Sequence, residues 1–170
     1  MMNSNLFKAI LAMDSYNRGY NAGIDLRKKN ATGQYIQDSD TTYTENSVTY
    51  RAQLGNAIIY DKKGDTAAQS IGFYGIAYDL DGLPGGETVI SYRGTDDFNG
   101  NPLTSNDAKH GWTLGLTNTD SQQGRMAVQF YQAVAGSGNW LSANISLTGH
   151  SLGGGLAAND NQQQMKKRAA

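Results

Sequence analysis

The sequence has no cysteine, two prolines and two histidines among its 170 residues. The absence of cysteine excludes disulfides, thiolate metal sites and a thiol nucleophile, but it does not decide the cellular compartment. Charge of one sign is lacking as well, because 14 basic residues offset 15 acidic ones to a formal net charge of −1. Such a chain has no field that attracts polyanions, and we expect no nucleic-acid partner.

Long hydrophobic runs are also absent. No stretch approaches the roughly 18 consecutive apolar residues that span a bilayer, so we expect no transmembrane segment. The first residues carry one lysine and a short apolar stretch over 6–13, without a small-residue cleavage site, and this pattern predicts a helix rather than a signal peptide. Location therefore stays open between the cytoplasm and secretion by a signal elsewhere than at the N-terminus.

Apolar residues nevertheless make up 38% of the chain, which is enough for the core of one domain spanning 1–170. A first helix begins at Asn3 or Ser4 and ends at Gly19. Its apolar positions recur with helical spacing: Leu6, Phe7, Ile10, Leu11 and Met13. The polar sequence over 21–46 predicts a loop with at most short strands, and 98–121 predicts a loop with at most a helical turn.

A strand, a helix and a second strand follow one another at 87–93, 121–135 and 144–148. This order predicts a parallel βαβ crossover and places the chain in the α/β class. Further strands are predicted at 47–51, 56–60 and 71–78, with a turn over 61–68.

Gly149, His150, Ser151, Leu152 and Gly153 form the pattern G-x-S-x-G directly after a predicted strand. This is the nucleophile elbow, a sharp turn that exposes a serine hydroxyl at the sheet edge. Gly149 and Gly153 lack side chains, so the strand and the next helix approach closely. The pattern predicts Ser151 as the nucleophile and the Leu152 N–H as the first oxyanion donor.

Together, GHSLGGG and ISYRGTDD resemble the class 3 lipases of the α/β-hydrolase superfamily and related bacterial phospholipase-like proteins. The resemblance implies that Thr95, which follows Tyr92, Arg93 and Gly94, belongs to the oxyanion hole. It also implies an α/β-hydrolase fold with a mainly parallel central sheet. We therefore expect a serine hydrolase that acts on carboxylic esters of lipids.

The chain departs from this family in its catalytic base and acid. The resemblance implies the order Ser, Asp, His, yet the 19 residues after Ser151 contain no histidine and one aspartate, Asp160. We expect the His150 side chain to point away from the approach to Ser151, and the loop residue His110 to be solvated. A working Asp and His are thus missing, and the alternative is a non-catalytic fragment or pseudoenzyme that binds acyl chains or a partner.

The segment 159–170, NDNQQQMKKRAA, is polar where the helix after an elbow is expected to be apolar. We expect a polar tail that is not buried, on a partial domain that lacks the C-terminal strands of the fold. The uncovered sheet edge then favours self-association. No cofactor and no metal are expected, because the chain has no phosphate-cradling Gly-rich loop and no complete Ca²⁺-loop spacing.

Overall fold

A computed structural model gives the fold. It describes residues 4–17, 32, 42–45, 47–51, 53–54, 57–64, 66–80, 86–95, 121–136 and 144–168. The helices are α1 (Ser4–Asn17), α2 (Thr66–Gln69), α3 (Gln122–Ala135) and α4 (Leu152–Arg168). The strands are β1 (Thr42–Glu45), β2 (Val48–Arg51), β3 (Gln53–Leu54), β4 (Ala57–Lys63), β5 (Gly75–Asp79), β6 (Thr88–Tyr92) and β7 (Ile145–Gly149).

The main sheet has the strand order β3-β4-β5-β6-β7, and β1 pairs with β2 in a separate hairpin. Neighbours from β3 to β6 are antiparallel, whereas β6 and β7 are parallel. The α/β class is confirmed, but the prediction of a mainly parallel sheet is wrong, because the described sheet is mixed and mostly antiparallel. The connections explain the difference: successive antiparallel strands need only short connections, and a parallel pair needs a crossover.

The predicted crossover is present as β6, α3 and β7. Ser121 caps α3, and its Oγ accepts a hydrogen bond from the Gly124 N–H at 2.9 Å. The helix ends at Ala135, where Gly136 adopts a φ of 79° that favours glycine. The helix therefore begins and ends as predicted, and it carries the chain from β6 to the parallel β7.

The sheet is covered on both faces. Alternate residues of β5 and β6 point to opposite faces, as strand geometry requires. One core joins the sheet to α3 and α4 and contains Phe73, Ala77, Ile90, Tyr92, Ala127, Phe130, Tyr131, Leu156 and Ala157. The other joins the sheet to α1 and contains Leu11, Ala57, Ile59, Tyr74, Ile76, Tyr78 and Val89. This layering leaves the C-terminal ends of β6 and β7 at the edge where the elbow lies.

Two element boundaries differ from the predictions. The predicted turn at 61–68 is occupied by the end of β4 and by α2. The predicted strand at 71–78 begins only at Gly75, because Ile71 and Phe73 donate backbone hydrogen bonds to the Ala68 carbonyl in a turn. Most of the predicted loops 21–46 and 98–121, the second of which contains His110, lie outside the described residues. Gly19, the predicted end of the first helix, lies outside them as well.

The polar segment after residue 158 continues α4 as far as Arg168. Asn159 and Asp160 are buried, so the prediction that this segment is not buried is wrong for its first two residues. The strand β7 ends the described sheet, and all five of its residues are half-buried. Self-association through this edge stays a prediction. None of the described helices is both long enough and apolar enough to cross a membrane.

Candidate active site

Ser151 lies on the turn between β7 and α4 with a φ of 55°, in the left-handed region that non-glycine residues rarely adopt. Its side chain is exposed. The turn is closed by hydrogen bonds from the Gly153 N–H to the His150 carbonyl and from the Gly154 N–H to the Ser151 carbonyl, each 3.0 Å long. A serine held in a sparsely populated conformation at an exposed point indicates a functional constraint on the backbone.

The two glycines that flank Ser151 are required by backbone packing. A Cβ on Gly149 would overlap the Gly153 carbonyl group, and it would lie 2.8 Å from the Gly154 nitrogen. A Cβ on Gly153 would overlap the Tyr92 carbonyl oxygen and lie 2.9 Å from the Arg93 carbonyl carbon. Strand β7, helix α4 and the end of β6 thus come together without room for side chains.

The segment after β6 lies directly beside the elbow. Tyr92 is in register with Gly149 in the parallel pair, so both strands end at the same edge. A Cβ on Gly94 would overlap the His150 carbonyl oxygen and lie 3.2 Å from the Ser151 Cβ. The structure therefore brings the segment of Gly94 and the half-buried Thr95 next to Ser151.

Arg93 anchors this segment from inside the molecule. Its side chain is buried, and the guanidinium carbon lies 4.7 Å from the centre of the Tyr74 ring, which is a cation–π contact. The Arg93 N–H also donates to the Tyr74 carbonyl at 3.0 Å. These contacts fix the backbone that leads from β6 to Thr95.

His150 is exposed, and its ring contacts a residue of α1. The Tyr16 hydroxyl lies 3.2 Å from the His150 Nδ1, and the two rings meet edge to face with 5.9 Å between their centres. The side chain of His150 therefore makes its contact with Tyr16.

Asp160 lies on α4, the helix that follows the elbow, in the core between β6 and α4. The Tyr92 hydroxyl donates to its Oδ2 at 2.7 Å and also contacts the Ala127 carbonyl at 3.1 Å. Burial raises the pKa of Asp160 to about 6, although hydrogen bonds from Tyr92 and Gln164 oppose the shift. Burial, followed by the charge of Asp160, raises the pKa of Tyr92 well above its usual value.

Within the part of the chain that the structure describes, Gly149, Ser151, Leu152 and Gly153 form one tight turn, and the segment of Thr95 lies beside it. His150 and Asp160 are engaged by Tyr16 and Tyr92, and His110 lies outside the described residues. The described residues contain no cluster of three His, Asp or Glu side chains that would hold a metal ion.

A comparison with family models matches residues 8–166 to the Tle-like phospholipase domain, a phospholipase-like family. The chain belongs to this family. The Tle-like phospholipase domain match contains both the elbow and the segment of Thr95, and it extends into the polar part of α4. Further comparisons find no matching curated protein and no matching solved structure. The expected likeness to lipases is thus confirmed at the level of a phospholipase-like family.

Two features of this Tle-like phospholipase domain are not predicted from its sequence. Tyr16 extends the buried side of α1 from Ala12 at helical spacing, and this spacing is a signal that could have been read. The pairing of Tyr92 with Asp160 has no local signal, because 68 residues separate the two in sequence.

Proposed function

We propose that this Tle-like phospholipase domain is a serine hydrolase of lipid carboxylic esters. Its elbow is of the α/β-hydrolase type, and residues 93–95 form an oxyanion segment like that of class 3 lipases. The observation that carries the proposal is the exposed Ser151 at a φ of 55° on a strand-to-helix turn. Such a turn presents the hydroxyl to a substrate and aims the N-terminus of the following helix at it.

In the proposed reaction, the Ser151 oxygen attacks the ester carbonyl and forms a tetrahedral oxyanion. Leu152 is the first residue of α4, and the N–H groups of a first helical turn have no acceptor within the helix. We assign the Leu152 N–H and Thr95 to the oxyanion hole, where hydrogen-bond donors stabilise the developing charge. The carbonyl then re-forms as the alcohol leaves with a proton, and water releases the acyl group from Ser151.

The base that accepts the Ser151 proton has no counterpart among the described residues. The Nδ1 of His150 contacts Tyr16, and Asp160 is buried against Tyr92. His110 lies outside the described residues. With the described residues alone we propose low turnover, since a serine without its base keeps only the contributions of the oxyanion hole and substrate binding.

The lack of a base beside Ser151 among the described residues favours a second candidate function. If no residue outside the described part supplies this base, the domain keeps the elbow as a structural turn and binds acyl chains or a partner without hydrolysing an ester. Both candidates predict a folded domain, and they differ in the reactivity of Ser151.

A fluorophosphonate probe distinguishes the two functions. We expect slow covalent labelling that is lost in Ser151→Ala and retained in Ser70→Ala, a control at an exposed serine in the turn after α2. Mass spectrometry of the labelled peptide locates the adduct. Absence of labelling in folded wild-type protein would contradict the serine mechanism in this chain and favour the binding function.

A further inference from the structure

We propose that Tyr16 is a positioning residue for Ser151, and that its hydroxyl holds the elbow in place from α1. The catalytic part of this inference, the effect on Ser151 reactivity, rests on the proposed function. It starts from the position of Tyr16, which is 8% exposed in the last turn of α1 and whose hydroxyl reaches the elbow.

Helix α1 is aligned along β6 and β7 by side chains of the strands. The Thr148 Oγ1 donates to the Lys8 carbonyl at 3.2 Å, and the Ser91 Oγ donates to the Leu11 carbonyl at 3.1 Å. These contacts set the register of α1 against the two strands that end at the active site. The last turn of α1 therefore delivers Tyr16 to the C-terminal edge of the sheet.

At that edge, the Tyr16 hydroxyl meets both the side chain and the backbone of the residue before the nucleophile. It lies 3.2 Å from the His150 Nδ1 and 3.5 Å from the His150 carbonyl oxygen. The same carbonyl accepts the Gly153 N–H that closes the elbow. Tyr16 thus touches the peptide group that leads into Ser151.

The contact also includes the oxyanion segment. A Cβ on Gly94 would overlap both the Tyr16 hydroxyl and the His150 carbonyl oxygen, and it would lie 3.2 Å from the Ser151 Cβ. Tyr16, Gly94 and the elbow therefore pack against one another with no spare volume. Since a left-handed serine persists only when its surroundings hold it there, loss of this support should loosen Ser151 relative to Thr95.

The chain offers a matched control on the same helix. The Tyr78 hydroxyl donates to the Asp14 carboxylate at 2.7 Å, which also joins α1 to the sheet but does not involve the elbow. Tyr78→Phe and Tyr16→Phe each remove one buried or part-buried hydroxyl between α1 and the sheet. Only the second should change the elbow.

Three measurements test the proposal. In Tyr16→Phe we expect the ¹⁵N chemical shift of the His150 Nδ1 to change. The Gly153 and Gly154 amides should exchange about fivefold faster with solvent, and fluorophosphonate labelling of Ser151 should slow about fivefold. Both factors correspond to the loss of one hydrogen bond. In Tyr78→Phe we expect none of the three changes. His150→Ala, at an exposed position, removes the contact of the Tyr16 hydroxyl with the ring from the other side and should produce no further slowing in Tyr16→Phe.

The outcomes separate this proposal from the proposed function. If the wild type is not labelled, the serine mechanism fails, while the nitrogen shift and amide exchange still decide whether Tyr16 holds the elbow. Equal amide exchange in Tyr16→Phe and wild type, or equal changes in Tyr16→Phe and Tyr78→Phe, would overturn the role of Tyr16.

Discussion

At the scale of single residues, the candidate active site depends on positions without a side chain. Gly153 and Gly155 lie two residues apart in α4, but their surroundings are opposite. A Cβ on Gly153 would overlap the backbone of Tyr92, whereas a Cβ on Gly155 would have no neighbour within 4 Å. Glycine is required at the first position by contact with β6, and at the second it is not required by packing.

This contrast predicts opposite effects of alanine. Gly153→Ala should lower the free energy of unfolding by about 3 kcal/mol, because the added methyl group forces the backbones of β6 and α4 apart. Gly155→Ala should raise it by about 0.5–1 kcal/mol, because alanine is the better helix former. Urea denaturation measures both. Equal effects in the two variants would contradict the close approach of α4 to β6.

At the scale of elements, α3 illustrates what a local signal determines. The Ser121 Oγ accepts the Gly124 N–H, and Ser121 is 5% exposed. Ser121→Ala should therefore lower the free energy of unfolding by about 1 kcal/mol, through the loss of an N-cap. Gln122→Ala, at the exposed next residue, should change it little. Thermal unfolding of the two variants makes the comparison, and an equal loss in both would argue against the cap.

The elements with strong local signals were the ones predicted from the sequence. The helix α3 has a cap, an apolar stripe and a glycine stop, and the elbow has two glycines around a serine after a β-branched strand. The strand predicted from residue 71 fails because apolar residues on both faces fit a buried turn as well as a buried strand. The sheet direction fails because pairing is set by the lengths of the connections and by distant contacts, neither of which periodicity reports.

The same limit applies to the site. The turn at Ser151 was predictable because its steric demands fall on neighbours within two residues. Tyr16 is 134 residues from His150, so their contact depends on how α1 packs on the sheet. The buried state of Asp160 was not predictable either, because a polar residue in a polar segment gives no sign that a tyrosine will pair with it in the core.

At the scale of the whole molecule, Asp160 links the two elements that carry the candidate site. Tyr92 immediately precedes residues 93–95, the proposed oxyanion segment, and Asp160 lies on the helix that follows Ser151. Their hydrogen bond at 2.7 Å therefore links β6 to α4 inside the core. Since burial raises the pKa of Asp160 from 3.8 to about 6, the folded state favours the protonated carboxyl more than the unfolded chain does.

The direction of the pH effect follows from proton binding. Between about pH 4 and pH 6 the folded protein binds more protons at Asp160 than the unfolded chain, so the contribution of this group to the free energy of unfolding falls as pH rises. The loss is complete about one unit above pH 6, where it amounts to about 2–3 kcal/mol, at 1.36 kcal/mol for each pKa unit. About one unit below pH 4 both states are protonated, and the contribution no longer changes.

Asp160→Asn should remove this dependence, because the amide is neutral at every pH and its oxygen still accepts the Tyr92 hydroxyl. We expect the variant to approach the wild type as pH falls toward 3.5, and to exceed its free energy of unfolding by about 2–3 kcal/mol from about pH 7 upward. Asn161→Asp, which adds a carboxyl at an exposed position of the same helix, should show no such pH-dependent loss. Urea denaturation from pH 3.5 to pH 8 tests the expectation, and a constant difference between Asp160→Asn and wild type would exclude ionisation of a buried Asp160. A difference that grows through this range would instead show that the packing of the elbow helix on β6 is strongest when Asp160 carries a proton.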